Sequence, residues 1–114
     1  MGTWYLNYED GKPVPAAYID NNVKVPTIIL NSDGSCTYID YDLMEYDDYI
    51  YPTGEASKFT GRWSYSNGNL TTIVDGETMS SPVTLAKGEL TITNTDEETK
   101  ETWTSVYRKI MYPK

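Results

Sequence analysis

Three short turn motifs dictate most of what this chain can fold into. Asn31-Ser32-Asp33-Gly34-Ser35 suits a three-residue hairpin loop with Gly34 left-handed as the bulge residue. Asn67-Gly68 is the dipeptide of a two-residue type I′ turn, and Lys87-Gly88 can serve in the same way. Each turn fixes a register. The first sets Leu30 opposite Cys36 and Ile28 opposite Tyr38. The second sets Tyr65 against Leu70, Trp63 against Thr72 and Gly61 against Val74. The third sets Leu85 against Leu90 and Val83 against Ile92. In each hairpin large apolar residues meet on one face, so turn chemistry and side-chain pattern agree.

Strands are expected near residues 2–9, 24–31, 35–42, 59–66, 69–75, 81–86, 89–95 and 101–110. No window shows sustained helical periodicity, and Pro13, Pro15, Pro26, Pro52 and Pro82 restrict long helices. The segment Leu43 to Tyr49 has room for one helical turn at most. Composition points the same way: 11 Tyr and 3 Trp accompany a single Phe, Phe59, and aromatic residues suit a pleated, half-buried surface. With 114 residues, 1–114 form one domain.

The remaining connections, near 10–23, 43–58, 75–80 and 95–100, read as longer loops alternating with the tight turns. In an eight-stranded antiparallel up-and-down β-barrel, alternate connections lie at opposite ends. One end is then expected to be stitched shut and the other to carry every long loop. Those loops hold eleven acids against three bases, which equals the whole net charge of −8; the other six acids and six bases cancel. Such a rim either simply keeps the loop end solvated or attracts cations and repels acidic molecules.

The charge disfavours nucleic acid and anionic membranes as partners, and no apolar run reaches the ~18 residues of a transmembrane segment. Cys36, the one cysteine, has no partner within the chain for a disulfide and reads as a small buried hydrophobe. With no histidine, the commonest general base, the Ser-His and Cys-His pairs and His-bearing metal sites are absent. No phosphate-cradling or dinucleotide motif occurs, so no cofactor, metal or catalytic residue is assigned. Asp40 with Asp42, or Asp47 with Asp48, could pair for acid–base chemistry, but they stand in an acidic stretch with no sign of burial. The same stretch lacks the glycine and spacing of an EF-hand loop.

Gly2-Thr3-Trp4 opens the first strand and Val106-Tyr107-Arg108 lies in the last. Between them come the hairpin from Leu30 to Tyr38 and a second G-x-W followed by Asn-Gly and Leu-Thr, Gly61 to Thr71. In this order of motifs the chain resembles the lipocalins, and more closely the compact lipocalin-like domains of bacterial secreted lipoproteins. The resemblance covers most of the chain, with no match for 43–58, and the helix and disulfides of the larger lipocalins have no counterpart. It implies a barrel whose closed end is plugged by Trp4, with Arg108 packed across the indole. It also implies a non-enzymatic protein exported to the periplasm or cell surface, its precursor carrying a lipid anchor.

Two functions remain open on the sequence. One is a small hydrophobic or amphipathic ligand held in a cavity lined by some of Ile28, Leu30, Tyr38, Trp63, Tyr65, Leu70, Leu90, Ile92 and Trp103. The other is contact with a protein partner through Tyr41, Tyr46, Tyr49 and Tyr51, around a filled barrel. An interior void of roughly 300 Å³ or more separates the first from the second.

Overall fold

The computed structural model describes residues 2–15, 25–86 and 88–109. Along them run β1 (Gly2–Glu9), β2 (Lys12–Pro13), β3 (Thr27–Leu30), β4 (Ser35–Tyr46), β5 (Tyr49–Ser66), β6 (Asn69–Val74), β7 (Glu77–Ala86), β8 (Glu89–Thr95) and β9 (Thr102–Arg108). With β2 set aside, each strand pairs with the next along the chain, and β1 closes the ring by pairing with β9. The two-residue β2 is an appendage on β1, so the eight longer strands form the expected antiparallel up-and-down barrel. Closure removes the exposed sheet edges that a flat sheet of this size would carry.

The three turn-derived registers are all present: Leu30 faces Cys36, Tyr65 faces Leu70, and Leu85 faces Leu90. Asn67 and Gly68 both take positive φ, 54° and 80°, as a type I′ turn requires. In the 31–35 loop Gly34 adopts φ 92°, and the Asp33 carboxylate accepts hydrogen bonds from the Ser35 amide and hydroxyl. Those bonds hold the Asp33 carboxyl below its ordinary pKa.

Two of the expected long loops are instead tight turns. Strand β4 runs on to Tyr46 and β5 starts at Tyr49, so 43–58 is mostly an extended hairpin turned by Asp47-Asp48, with no helical turn. Its residues include Glu45, Pro52 and Gly54, poor strand formers, yet cross-strand pairing and packing on one face override propensity. The β6–β7 connection is just Asp75-Gly76, with φ 53° and 80°. Asp10-Gly11 makes another such turn between β1 and β2. Both are Asp-Gly dipeptides, a hairpin signal as plain as Asn-Gly.

Side-chain alternation breaks at two bulges. Between Leu6 and Tyr8 the β1–β9 register shifts by one, so Glu9 rather than Tyr8 follows Trp4 and Leu6 onto the inner face, opposite Ser105. Between Asp40 and Asp42 the β4–β5 pairing shifts too, separating the barrel wall from the hairpin extension. In that extension Ile50 and Pro52 are buried, while Lys12 of β2 forms an ion pair with Glu45.

The wall also has a slit. Strands β7 and β8 pair only from Val83–Ile92 to Ala86–Glu89. Below that point β7 pairs only with β6, and β8 only with β9. The Val83 amide donates to Gly68 on the β6 side, so position 82 is turned towards β8, and Pro82 has no N–H to offer there. The zipper stops at the residue that cannot continue it.

The core follows from these registers. Trp4, Ile28, Leu30, Cys36, Leu70, Val83, Leu90 and Ile92 form one buried cluster. Gly61 sits within the wall so tightly that a Cβ would collide with the Ile73 carbonyl oxygen. Gly61→Ala is therefore expected to cost about 1–3 kcal/mol, read as a lowered midpoint in urea unfolding; an unchanged midpoint would refute the close approach.

Candidate functional site

Reading inward-facing residues from one end of the barrel to the other gives a gradient from apolar to polar. At the end with the 31–34 and 67–68 turns and Gly88 the lining is Trp4, Leu30, Trp63, Tyr65, Leu70, Val83, Leu85 and Leu90. At the other end it includes Tyr38, Asp40, Thr72, Asp75, Glu77, Asn94, Ser105 and Tyr107. By strand direction the second end is the one that carries the acidic turns 47–48 and 75–76 and the loop Asp96–Glu101.

A cavity of about 380 Å³ opens at this acidic mouth. Tyr38, Phe59, Tyr107 and Met79 supply its apolar surface, and Asp40, Asp75 and Glu77 its charge, with no basic residue in the lining. It shares Tyr38, Thr72, Met79 and Tyr107 with an inner chamber of about 120 Å³, which adds Ile28, Ile92, Asn94 and Ser105. A third hollow, about 430 Å³, lies along the β7–β8 slit between Ser80, Ser81 and Pro82 on one lip and Thr93, Asn94 and Trp103 on the other. Met79 borders all three.

One carboxylate of the mouth, Asp40, is perturbed by its surroundings. Burial, with Asp42 nearby, raises the Asp40 carboxyl above its ordinary pKa. Burial also raises the Tyr38 hydroxyl, with a hydrogen bond to Thr72 acting the other way. Tyr107 is pushed far above a normal phenol by burial first, then by the charges of Glu9 and Asp40. Both phenols therefore stay protonated and present hydroxyl donors to the interior.

Deeper on the β1–β9 side, the Glu9 carboxylate accepts from Trp103 Nε1 and from Ser105 Oγ, each at 2.6 Å, and Asn94 Nδ2 donates to Ser105 Oγ at 2.8 Å. This polar network exists because the bulge turns Glu9 inward. Among the described residues no group of three or more His, Cys, Asp or Glu converges as a metal site. Cys36 is buried, and burial raises its thiol, which disfavours the nucleophilic thiolate.

The expected lining residues do not share one cavity. Leu30, Trp63, Tyr65, Leu70 and Leu90 gather at the turn end; Ile28, Tyr38, Leu70 and Ile92 line the inner chamber; Trp103 borders the slit. The turn end is also not sealed, since about 200 Å³ of apolar space remains beside Trp4. Nor does Arg108 cover that indole. By register Arg108 pairs with Tyr5 on the outer face, where it bonds Glu89 and lies 5.7 Å from the Tyr8 ring centroid. Lys109, one residue on, brings its Nζ to 5.0 Å from the Trp4 ring centroid.

The tyrosine-rich segment is a hairpin rather than a loop. Tyr46 and Tyr49 pair across its tip and are exposed, as is Met44. Tyr51 lies 6.5 Å and 6.2 Å from the Tyr46 and Tyr49 rings, and Tyr41 sits at the bulge where the hairpin leaves the barrel.

Residues passed over in the sequence include Thr72, Met79, Asn94, Ser105 and Tyr107. Alternation from Val83 gives Ser81 and Met79, and alternation from Trp103 gives Ser105 and Tyr107, once β7 and β9 are extended by pairing. Glu9 had no such signal, because a bulge leaves no mark in hydrophobic periodicity.

A family model described as a lipocalin-like domain matches residues 1–92. The chain belongs to this family of lipocalin-like domains. The match ends within β8, and the structure supplies the rest: β9 lies beyond it and closes the ring onto β1. No curated protein matches the chain. Lipocalin barrels are of the size that holds one small ligand, and the hollow at the acidic mouth of this one fits that scale.

Proposed function

We propose that this lipocalin-like domain is a non-enzymatic binding protein whose ligand is a small amphipathic molecule held at the acidic mouth, with a positively charged head and an apolar body. The observation that carries the reading is the lining of the mouth cavity. Three carboxylates and no base border it, beside three aromatic rings and a methionine. Its volume, about 380 Å³, falls in the range of about 300–1,000 Å³ usual for ligand sites, whereas the turn-end hollow falls below it. Rings and carboxylates together favour an organic ammonium: the ring faces attract the cation, and the carboxylates pair with it. Calorimetric titration with 2-phenylethylamine against 3-phenylpropanoate tests this, the amine binding in a salt-sensitive manner and the acid failing to compete.

A second reading is supported by the exposed face of the β4–β5 hairpin, where Met44, Tyr46 and Tyr49 offer amphipathic contacts for a protein partner. Shortening the hairpin at 42–53 separates the two, since it removes that face and leaves Asp75, Glu77 and Met79 at the mouth. Export to the periplasm or cell surface, with a lipid-anchored precursor, belongs to the same proposal and rests on the resemblance to bacterial lipoprotein domains; fractionation of the native host tests it.

A further inference from the structure

We propose that the turn end of the barrel is a second, separate binding site, for an uncharged apolar molecule about the size of a single aromatic ring. The hollow there measures about 200 Å³, and roughly 150 Å³ of dry apolar space is enough to take up benzene. It is a hollow at the end of the barrel, open to solvent at its rim, and its walls are inward-facing positions of β1, β3, β5, β6, β7 and β8. Leu70 separates it from the inner chamber, bordering both.

Three features select the occupant. The walls are mostly aliphatic and aromatic carbon and hold no charged side chain, so a charged group placed here would lose hydration with no charge in the lining to pair with. The indoles of Trp4 and Trp63 flank the space, which favours a ring through offset or edge-to-face contact. Trp63 spends its own N–H on the Asn31 carbonyl at 2.8 Å, leaving its ring as the contact surface. At the rim, Tyr65 and Leu85 occupy inward register positions yet remain 55% and 58% exposed. Both are solvated because nothing of this chain's described residues fills the space they face. A bound ring would cover them, and the hydrophobic effect supplies the affinity.

The three tryptophans make the test local. Their indole N–H groups differ in environment: Trp63 bonds to Asn31, Trp103 to Glu9, and Trp4 Nε1 is buried without a partner among the described residues. Toluene titrated into the ¹⁵N-labelled protein is expected to shift the Trp4 and Trp63 indole signals saturably, with one equivalent bound, and to leave Trp103 unmoved. Val83→Phe, which fills the hollow, should weaken toluene at least tenfold. If that variant fails to fold, Leu85→Trp, placed at the exposed rim, should weaken it to the same extent. Benzoate should bind at least tenfold more weakly than toluene. A shift confined to Trp103, a lack of saturation, or equal binding of benzoate overturns the proposal. So does sedimentation showing that the chain self-associates through this end, with Leu85→Trp abolishing association. The mouth cavity takes no part in this test, so its outcome is independent of the amine experiment.

Discussion

2-Phenylethylamine is expected to bind at the barrel mouth at least tenfold more tightly than 3-phenylpropanoate, which carries a carboxylate on the same phenylethyl body. Tenfold corresponds to about 1.4 kcal/mol, well within what unit charges about 4 Å apart exchange at an effective dielectric near 20, roughly 4 kcal/mol before desolvation is subtracted. Because the cavity is open to water, salt should erode the preference as the Debye length shrinks towards 3 Å at 1 M. The pH dependence has a definite sign. Burial holds the Asp40 carboxyl above its ordinary value, so amine affinity is full once Asp40 is ionised and falls as pH drops through that raised value. Stability of the ligand-free protein moves the other way. A carboxyl raised by folding contributes stability that is complete below its unfolded pKa and is lost as pH rises through the folded one. Asp40→Asn should therefore leave the free protein no less stable at neutral pH while weakening the amine. Equal affinity for amine and acid, or indifference to salt, would sink the charged-mouth reading.

Glu9→Ala should lower stability by about 3 kcal/mol, the second large effect. The carboxylate accepts two short hydrogen bonds, from Trp103 and Ser105, and charge-assisted bonds of this kind contribute about 1.5–3 kcal/mol each. Removing the acceptor leaves a half-buried indole N–H and a buried hydroxyl to find new partners, at the very seam where β1 meets β9. For a domain of this size the loss corresponds to a fall in Tm on the order of 12 °C or more. Glu9→Gln, which keeps an acceptor for Trp103, should recover much of it. Thermal unfolding of the two variants decides the matter, and an alanine variant as stable as the parent would mean the network contributes nothing net.

How much of this was legible in the sequence can be traced residue by residue. Asn67-Gly68 and Gly34 announce their turns because only certain backbones tolerate positive φ, and the registers followed from them. Asp75-Gly76 carried the same signal but is followed by mostly polar residues, so the strand expected at 81–86 was not carried back to Glu77. The hairpin 42–53 was hidden for a different reason. Its stability comes from pairing and from burial of Ile50 and Pro52, contacts that no local window contains. The candidate lining was assembled by which residues face inward, which alternation reveals; which of them share a hollow depends on height along the barrel, which alternation does not. Asp40 was visible as an acid but not as a wall of a cavity, since the residues that share the lining with it come from β5, β6, β7 and β9.

Pro82 gives the barrel a feature that its strand count conceals. Backbone groups of Thr78 and Ser80 on one lip, and of Thr93 and Thr95 on the other, face each other across the slit with no ladder between them. This half of the wall should behave as a seam: its amides are expected to exchange with deuterium orders of magnitude faster than those of Thr84 and Thr91 just above, where the ladder is intact. Since Met79 borders both the slit and the mouth, a guest could pass sideways through the wall without the rim having to move. Uniform protection along β7 would show instead that the seam is zipped in solution.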